Sequence, residues 1–139
     1  MMNETKCALI IDENLPLGLI ANTAAILGAA LGKNKPGLLG ENVTDGSGIE
    51  HLGIVKVPIP ILKGNAELLH ELRNKLLTDD FRHILTVDFT DVAQSIHTYE
   101  AYTETFQSTA SSDYRYFGIG ICGDKKKINR LTGSLGLLR

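Results

Sequence analysis

An α/β domain built on a layered, mostly parallel sheet is the fold class this sequence predicts, and three observations carry it. Apolar runs of strand length alternate with helical stretches four times along the chain. Gly, Pro, Asn and Asp punctuate the boundaries between them. A length of 139 residues with 43% hydrophobic content suits one core, so the whole of residues 1–139 reads as a single domain.

Residues 7–11 are a continuous apolar run closed by Asp12 and Glu13, the pattern of a strand covered on both faces. Asn14 is the expected helix cap, and Pro16 suits a first helical turn. Residues 17–31 are rich in Ala, Leu and Ile on nearly every side, which predicts a deeply buried helix. Gly32, Asn34 and Pro36 should end it. Residues 37–48 form the longest irregular stretch, read as a solvated connector, with a binding loop as the alternative. Residues 52–57 are the expected second strand, and Pro58 and Pro60 confine its continuation to an edge. Asn65 should cap a helix to about Leu77 with the stripe Leu68, Leu69, Leu72 and Leu76. Residues 84–87 are a third strand, ending at Asp88. Thr90 should then cap one long helix carrying Val92, Ile96, Tyr99, Thr103 and Phe106. Residues 116–121 make the fourth strand, and a short helix runs on through Arg130.

Charge and composition narrow the function. With 14 Lys and Arg against 16 Asp and Glu, the net charge is −2, and no basic stripe is visible. Nucleic acid is therefore not an expected partner, because that affinity rests on phosphate neutralisation. Residues 1–6 lead straight into a strand without the apolar segment of a secretory signal. Residues 15–31 are too short and too interrupted to span a membrane. The reading is cytoplasmic, without a membrane partner and without a cofactor. Cys7 and Cys122 both sit inside apolar runs and read as buried small hydrophobes.

Gly118, Gly120 and Gly123 spell G-x-G-x-x-G after a strand and before a helix, the context of a dinucleotide site. Such a site also needs a further strand with an acid about 20 residues on, and only 16 residues follow Gly123. A weaker reading survives, in which the helix start beside Lys125, Lys126 and Lys127 holds an anion, although Asp124 is placed to cap it. The acids at strand ends are more suggestive. In open α/β sheets ligands bind where strand C-termini meet helix N-termini, so Asp12, Asp88 and Asp91 are expected to share a crevice with Asn22 and Thr23. The bland reading is that these residues form turns and caps. None of His51, His70, His83 and His97 has the i, i+4 spacing of a zinc pair, so no metal site is assigned.

The C-terminal segment, a strand through Phe117, Gly118 and Gly120, a short helix, then Leu131-Thr-Gly-Ser-Leu-Gly-Leu-Leu, resembles the closing segment of type II peptidyl-tRNA hydrolases. Together with Asp12-Glu-Asn-Leu-Pro and Val87-Asp-Phe-Thr-Asp91, it looks closer still to an uncharacterised bacterial family, domain of unknown function 2000. The resemblance implies a three-layer α/β/α domain with a small mixed sheet, often a homodimer. It also implies that Asp91 matches an acid the hydrolases need, Ser95 a nearby hydroxyl, and Thr23 the place of an amide side chain. The Lys and His that those enzymes use near helix one are missing: residues 15–21 hold no Lys, and Ile26 stands near the His position.

The expected function is thus a non-hydrolytic domain binding a small polar ligand or a metal at Asp12, Asn22, Thr23, Asp88, Asp91 and Ser95. A divergent hydrolase or esterase centred on Asp91 is one alternative, placed second because an acid without a cation poorly stabilises a developing oxyanion. An oligomeric interaction protein using the Leu135–Leu138 tail is another, set against a tail that packs on its own domain.

Overall fold

The computed structural model describes residues 4–139; the first three residues of the leader reading lie outside them. The central sheet has the order β4 (Ile61–Gly64), β1 (Thr5–Asp12), β6 (Tyr116–Asp124), β5 (Leu85–Thr90). Only β1 and β4 pair in parallel, whereas β6 runs antiparallel to both β1 and β5. The sheet is therefore mixed and mostly antiparallel, which corrects the parallel expectation. The physical reason is the connection between β5 and β6. Thr90, the last residue of β5, pairs with Tyr116, the first of β6, so the chain returns to the sheet at the end it left. Its helices, α3 (Asp91–Ser95) and α4 (Tyr99–Gln107), form an excursion rather than a crossover. They are two helices where one was expected, because Ile96 leaves the helical region and Thr98 caps anew, accepting from the Ala101 N–H at 3.2 Å.

Helices cover both faces. On one, Ala8, Ile10, Ile119 and Ile121 pack with Leu69, Leu72 and Leu76 of α2 (Ala66–Leu76) and with Ile128 and Leu131 of α5 (Lys125–Thr132). On the other, Cys7, Leu9, Ile11 and Phe89 pack with Leu27 and Leu31 of α1 (Leu17–Asn34). Each such Leu or Ile side chain contributes roughly 1.5–3 kcal/mol of burial. Contrary to the sequence reading, α1 buries only Thr23, Leu27 and Leu31, and Leu17 and Ile26 face water. Asn14 does not cap α1; Pro16 occupies the position, with no side-chain cap. Asn65 does cap α2, its Oδ1 accepting from the Leu68 N–H at 2.9 Å.

The glycines of the G-x-G-x-x-G motif serve packing. A Cβ at Gly118 would stand 2.8 Å from the Thr23 methyl and 3.0 Å from Leu27 Cδ1, and one at Gly120 2.9 Å from Val87. They let α1 lie directly on the backbone of β6. Phe89 pairs with Gly118 and Thr90 with Tyr116, so Phe117 is the extra residue of a bulge that redirects the start of β6.

Residues 52–57 are not in the main sheet. They return from an exposed two-stranded arm, β2 (Val43–Thr44) and β3 (Glu50–His51), closed by Asp45 and by Gly48 at φ +82°. The second main strand comes later, after Pro60. The tail from Leu135 packs on its own domain: Leu137 bridges Leu62, and the Leu138 N–H donates to the Ile61 carbonyl at 2.9 Å. Among the described residues no helix is long and apolar enough to cross a membrane.

Candidate functional site

The acids expected to share a crevice divide between two places. β1 and β5 run in the same direction, so Asp12 and Asp91 do come to one end of the sheet, with the start of β6 between them. Asp12 is fully buried; one carboxylate oxygen accepts from the Asn14 N–H at 2.9 Å and the other from the Arg115 guanidinium. Asp91 and Arg115 exchange two further bonds, the Arg115 N–H donating to Asp91 Oδ1 and the Asp91 N–H to the Arg115 carbonyl, both at 3.0 Å. This corner ties β1, α3 and β6 together, and no buried side-chain nitrogen or oxygen among the described residues lacks a partner. Arg115 carries the arrangement, and the sequence reading overlooked it.

The remaining predicted residues do not join that corner. Thr23 is buried, its hydroxyl donating to the Leu19 carbonyl at 2.7 Å and its methyl against Gly118. Asn22 is exposed on α1. The Ser95 hydroxyl donates back to the Val92 carbonyl at 3.1 Å. Asp88 pairs with Arg73 of α2 at 3.3 Å. Among the described residues no three His, Cys, Asp or Glu side chains are grouped to hold a metal ion.

Asp88 leads to a second place that the sequence reading did not assemble. Arg73, with His70, Asn74, Ser111, Ser112, Tyr114 and Tyr116, lines a recess of about 370 Å³. All four tyrosines of the chain stand in one continuous run of ring contacts. It passes from Tyr99 to Tyr102, Phe106, Tyr114, Tyr116 and His70 with centroids 4.9–5.4 Å apart. His70 Nε2 lies 3.2 Å from the Tyr114 carbonyl, so this histidine is part of the site rather than of a solvated face. Burial raises the Asp88 carboxyl above the ordinary carboxylate range, with Arg73 opposing. Burial, the Tyr114 hydroxyl and the charge of Asp88 push the Tyr116 phenol up, and burial and Asp88 raise Tyr102. At neutral pH these phenols are protonated donors, set beside a guanidinium and an imidazole. Such a set has the chemistry to bind and orient a polar group.

With both places described, the comparisons with known proteins can be set beside them. A family model described as a protein of unknown function, DUF2000, matches residues 5–139. The chain belongs to the DUF2000 family. A solved structure of a protein of unknown function from Agrobacterium tumefaciens strain C58 superimposes with a TM-score of 0.86. It is 21% identical in sequence, over 96% of this chain and 97% of that one. At that identity the likeness shows that this DUF2000 chain shares the fold. No curated protein shows significant similarity to it.

Proposed function

We propose that this chain is a non-hydrolytic binding domain that takes a small polar ligand in the recess between α2 and the start of β6. The observation that carries the reading is the Arg73–Asp88 pair, each side chain no more than a quarter exposed, with Arg73 on the wall of a recess of ligand size. The guanidinium suits a carboxylate or phosphate, and the rings of Tyr114, Tyr116 and His70 suit a planar group beside it. The chain has no tryptophan and all its tyrosines lie in this run, so tyrosine fluorescence reports occupancy directly. A panel of carboxylates, phosphates and nucleosides, read by that fluorescence and by thermal shift, should yield a compound that moves both, with Arg73→Ala abolishing the response. If no compound moves either signal, the reading fails. The hydrolytic alternative is not adopted, because the Asp91 carboxylate is engaged by the Arg115 backbone N–H and the guanidinium of that residue by Asp12. The finer fold reading, a type II peptidyl-tRNA hydrolase-like scaffold, is supported by the sheet held between α1 and the α2–α5 layer.

We further propose a homodimer formed through the arm. Leu52 and Ile54 are 79% and 78% exposed, and Val43 and Ile49 join them on a ribbon that by itself is marginal in water. A second copy that buries these side chains supplies what the ribbon lacks. Light scattering should give twice the chain mass, and a Leu52→Asp, Ile54→Asp variant half of that; a monomeric parent overturns it.

A further inference from the structure

Cys7 on β1 and Cys122 on β6 stand directly opposite each other in the antiparallel ladder. Their sulfurs are 2.6 Å apart, with the Cys7 thiol donating to Cys122. Both are free and buried. Opposed residues in an antiparallel pair have Cα atoms about 4.5–5.5 Å apart, within the span a disulfide bridges. The packing around the pair is apolar, from Leu9, Leu31, Leu38, Leu85 and Val57. The charged group that acts on it is the ammonium of Lys35, just beyond α1. Accepting the Cys7 bond, with Lys35 nearby, brings the Cys122 thiol down to about 7 against the opposing effect of burial, while Cys7 is pushed up. Near neutral pH, Cys122 therefore has the thiolate character that makes a cysteine a nucleophile. An open recess lies at the same end of the sheet. Thr5 and Lys6, which precede Cys7, and Val57, which packs in the cysteine cluster, line this recess of about 580 Å³ with Lys56, Pro58, Pro60 and Lys125.

We propose that Cys7 and Cys122 are an oxidisable dithiol that takes a small hydroperoxide and closes to a cross-strand disulfide. The Cys122 thiolate attacks one peroxide oxygen; an S–O bond forms, the O–O bond breaks, and the alkoxide leaves as the alcohol after taking a proton. The Cys7 sulfur then attacks the sulfenic sulfur; the S–S bond forms, the S–O bond breaks, and hydroxide leaves with the Cys7 proton as water. In sum, two thiols and one hydroperoxide give one disulfide, one alcohol and one water, the sulfurs losing two electrons that the peroxide gains.

The experiment treats the folded chain with hydrogen peroxide, then unfolds it in N-ethylmaleimide and weighs it intact. The expected product has lost two hydrogens, takes up no maleimide, and regains both reactive thiols after dithiothreitol. The rate should rise with pH around a midpoint near 7. Cys7→Ser should stop at a sulfenic acid that dimedone traps, whereas Cys122→Ser should lose the fast reaction. The proposal is overturned if the folded chain keeps two alkylatable thiols, if it only gains oxygen atoms, or if the disulfide forms faster in urea than in the native state.

Discussion

Two acid–arginine pairs hold the molecule, and they do opposite things. Asp12 is buried while its partner Arg115 is 46% exposed, and the pair spans 103 residues of sequence to join β1 to the start of β6. Asp88 and Arg73 are both partly exposed, stand beside a recess, and leave Asp88 raised by burial. In the first pair the carboxylate is fully buried and both of its oxygens have partners. In the second the carboxylate itself keeps some contact with water, and other donors converge beside the arginine, as the proposed site would require. Residue type does not separate them. Solvation and the company each pair keeps do.

The difference can be broken most forcefully at Arg115. Arg115→Ala leaves the Asp12 carboxylate buried without its cation, and we expect a loss of about 3 kcal/mol in urea unfolding, the low end for such a pair because water can reach the vacated place. Gly118→Ala tests the same end of the sheet by volume. Its new methyl meets Thr23 and Leu27 at 2.8 and 3.0 Å, and overpacking should cost about 2 kcal/mol. Arg73→Ala should change stability by less than about 1 kcal/mol, since Arg73 and Asp88 both keep some contact with water and the burial of Asp88 offsets much of the attraction between them. Equal costs at Arg73 and Arg115 would end the distinction between the pairs.

The smallest effect is the most diagnostic. Asp88 has a raised carboxyl in the folded state, so the stability it contributes is complete below the unfolded value and is lost as pH rises through the folded one. Asp88→Asn should therefore match the parent near pH 3 and exceed it in stability as pH rises toward 7. Paired denaturation curves across that range check the sign, and a variant less stable at neutral pH would mean that Arg73 outweighs burial.

Much of the fold was legible. The apolar run into Asp12, the α2 stripe, and the caps at Asn65 and Thr90 follow from local periodicity and capping chemistry, which neighbouring residues determine. The C-terminal segment was legible too as a family marker, and its glycines proved to be where α1 meets β6. The arm was misplaced because residues 52–57 have a strand's composition, and only the backbone crossing at Gly53, where a Cβ would come 1.8 Å from the Gly40 carbonyl, commits them to a ribbon. Of the candidate site, Asp88 was in view, while Arg73, His70 and the four tyrosines were scattered from residue 70 to 116 with no shared spacing to connect them.

By itself, then, the sequence determined three of the four strands of the main sheet, the places of α1, α2 and α5, and the family. The tertiary structure alone decided that β6 lies antiparallel between β1 and β5, that Arg115 reaches Asp12, and that Cys7 faces Cys122. The reason is physical: periodicity records that a face is buried but not what lies across it, and strand direction depends on which end of the sheet a connection returns to.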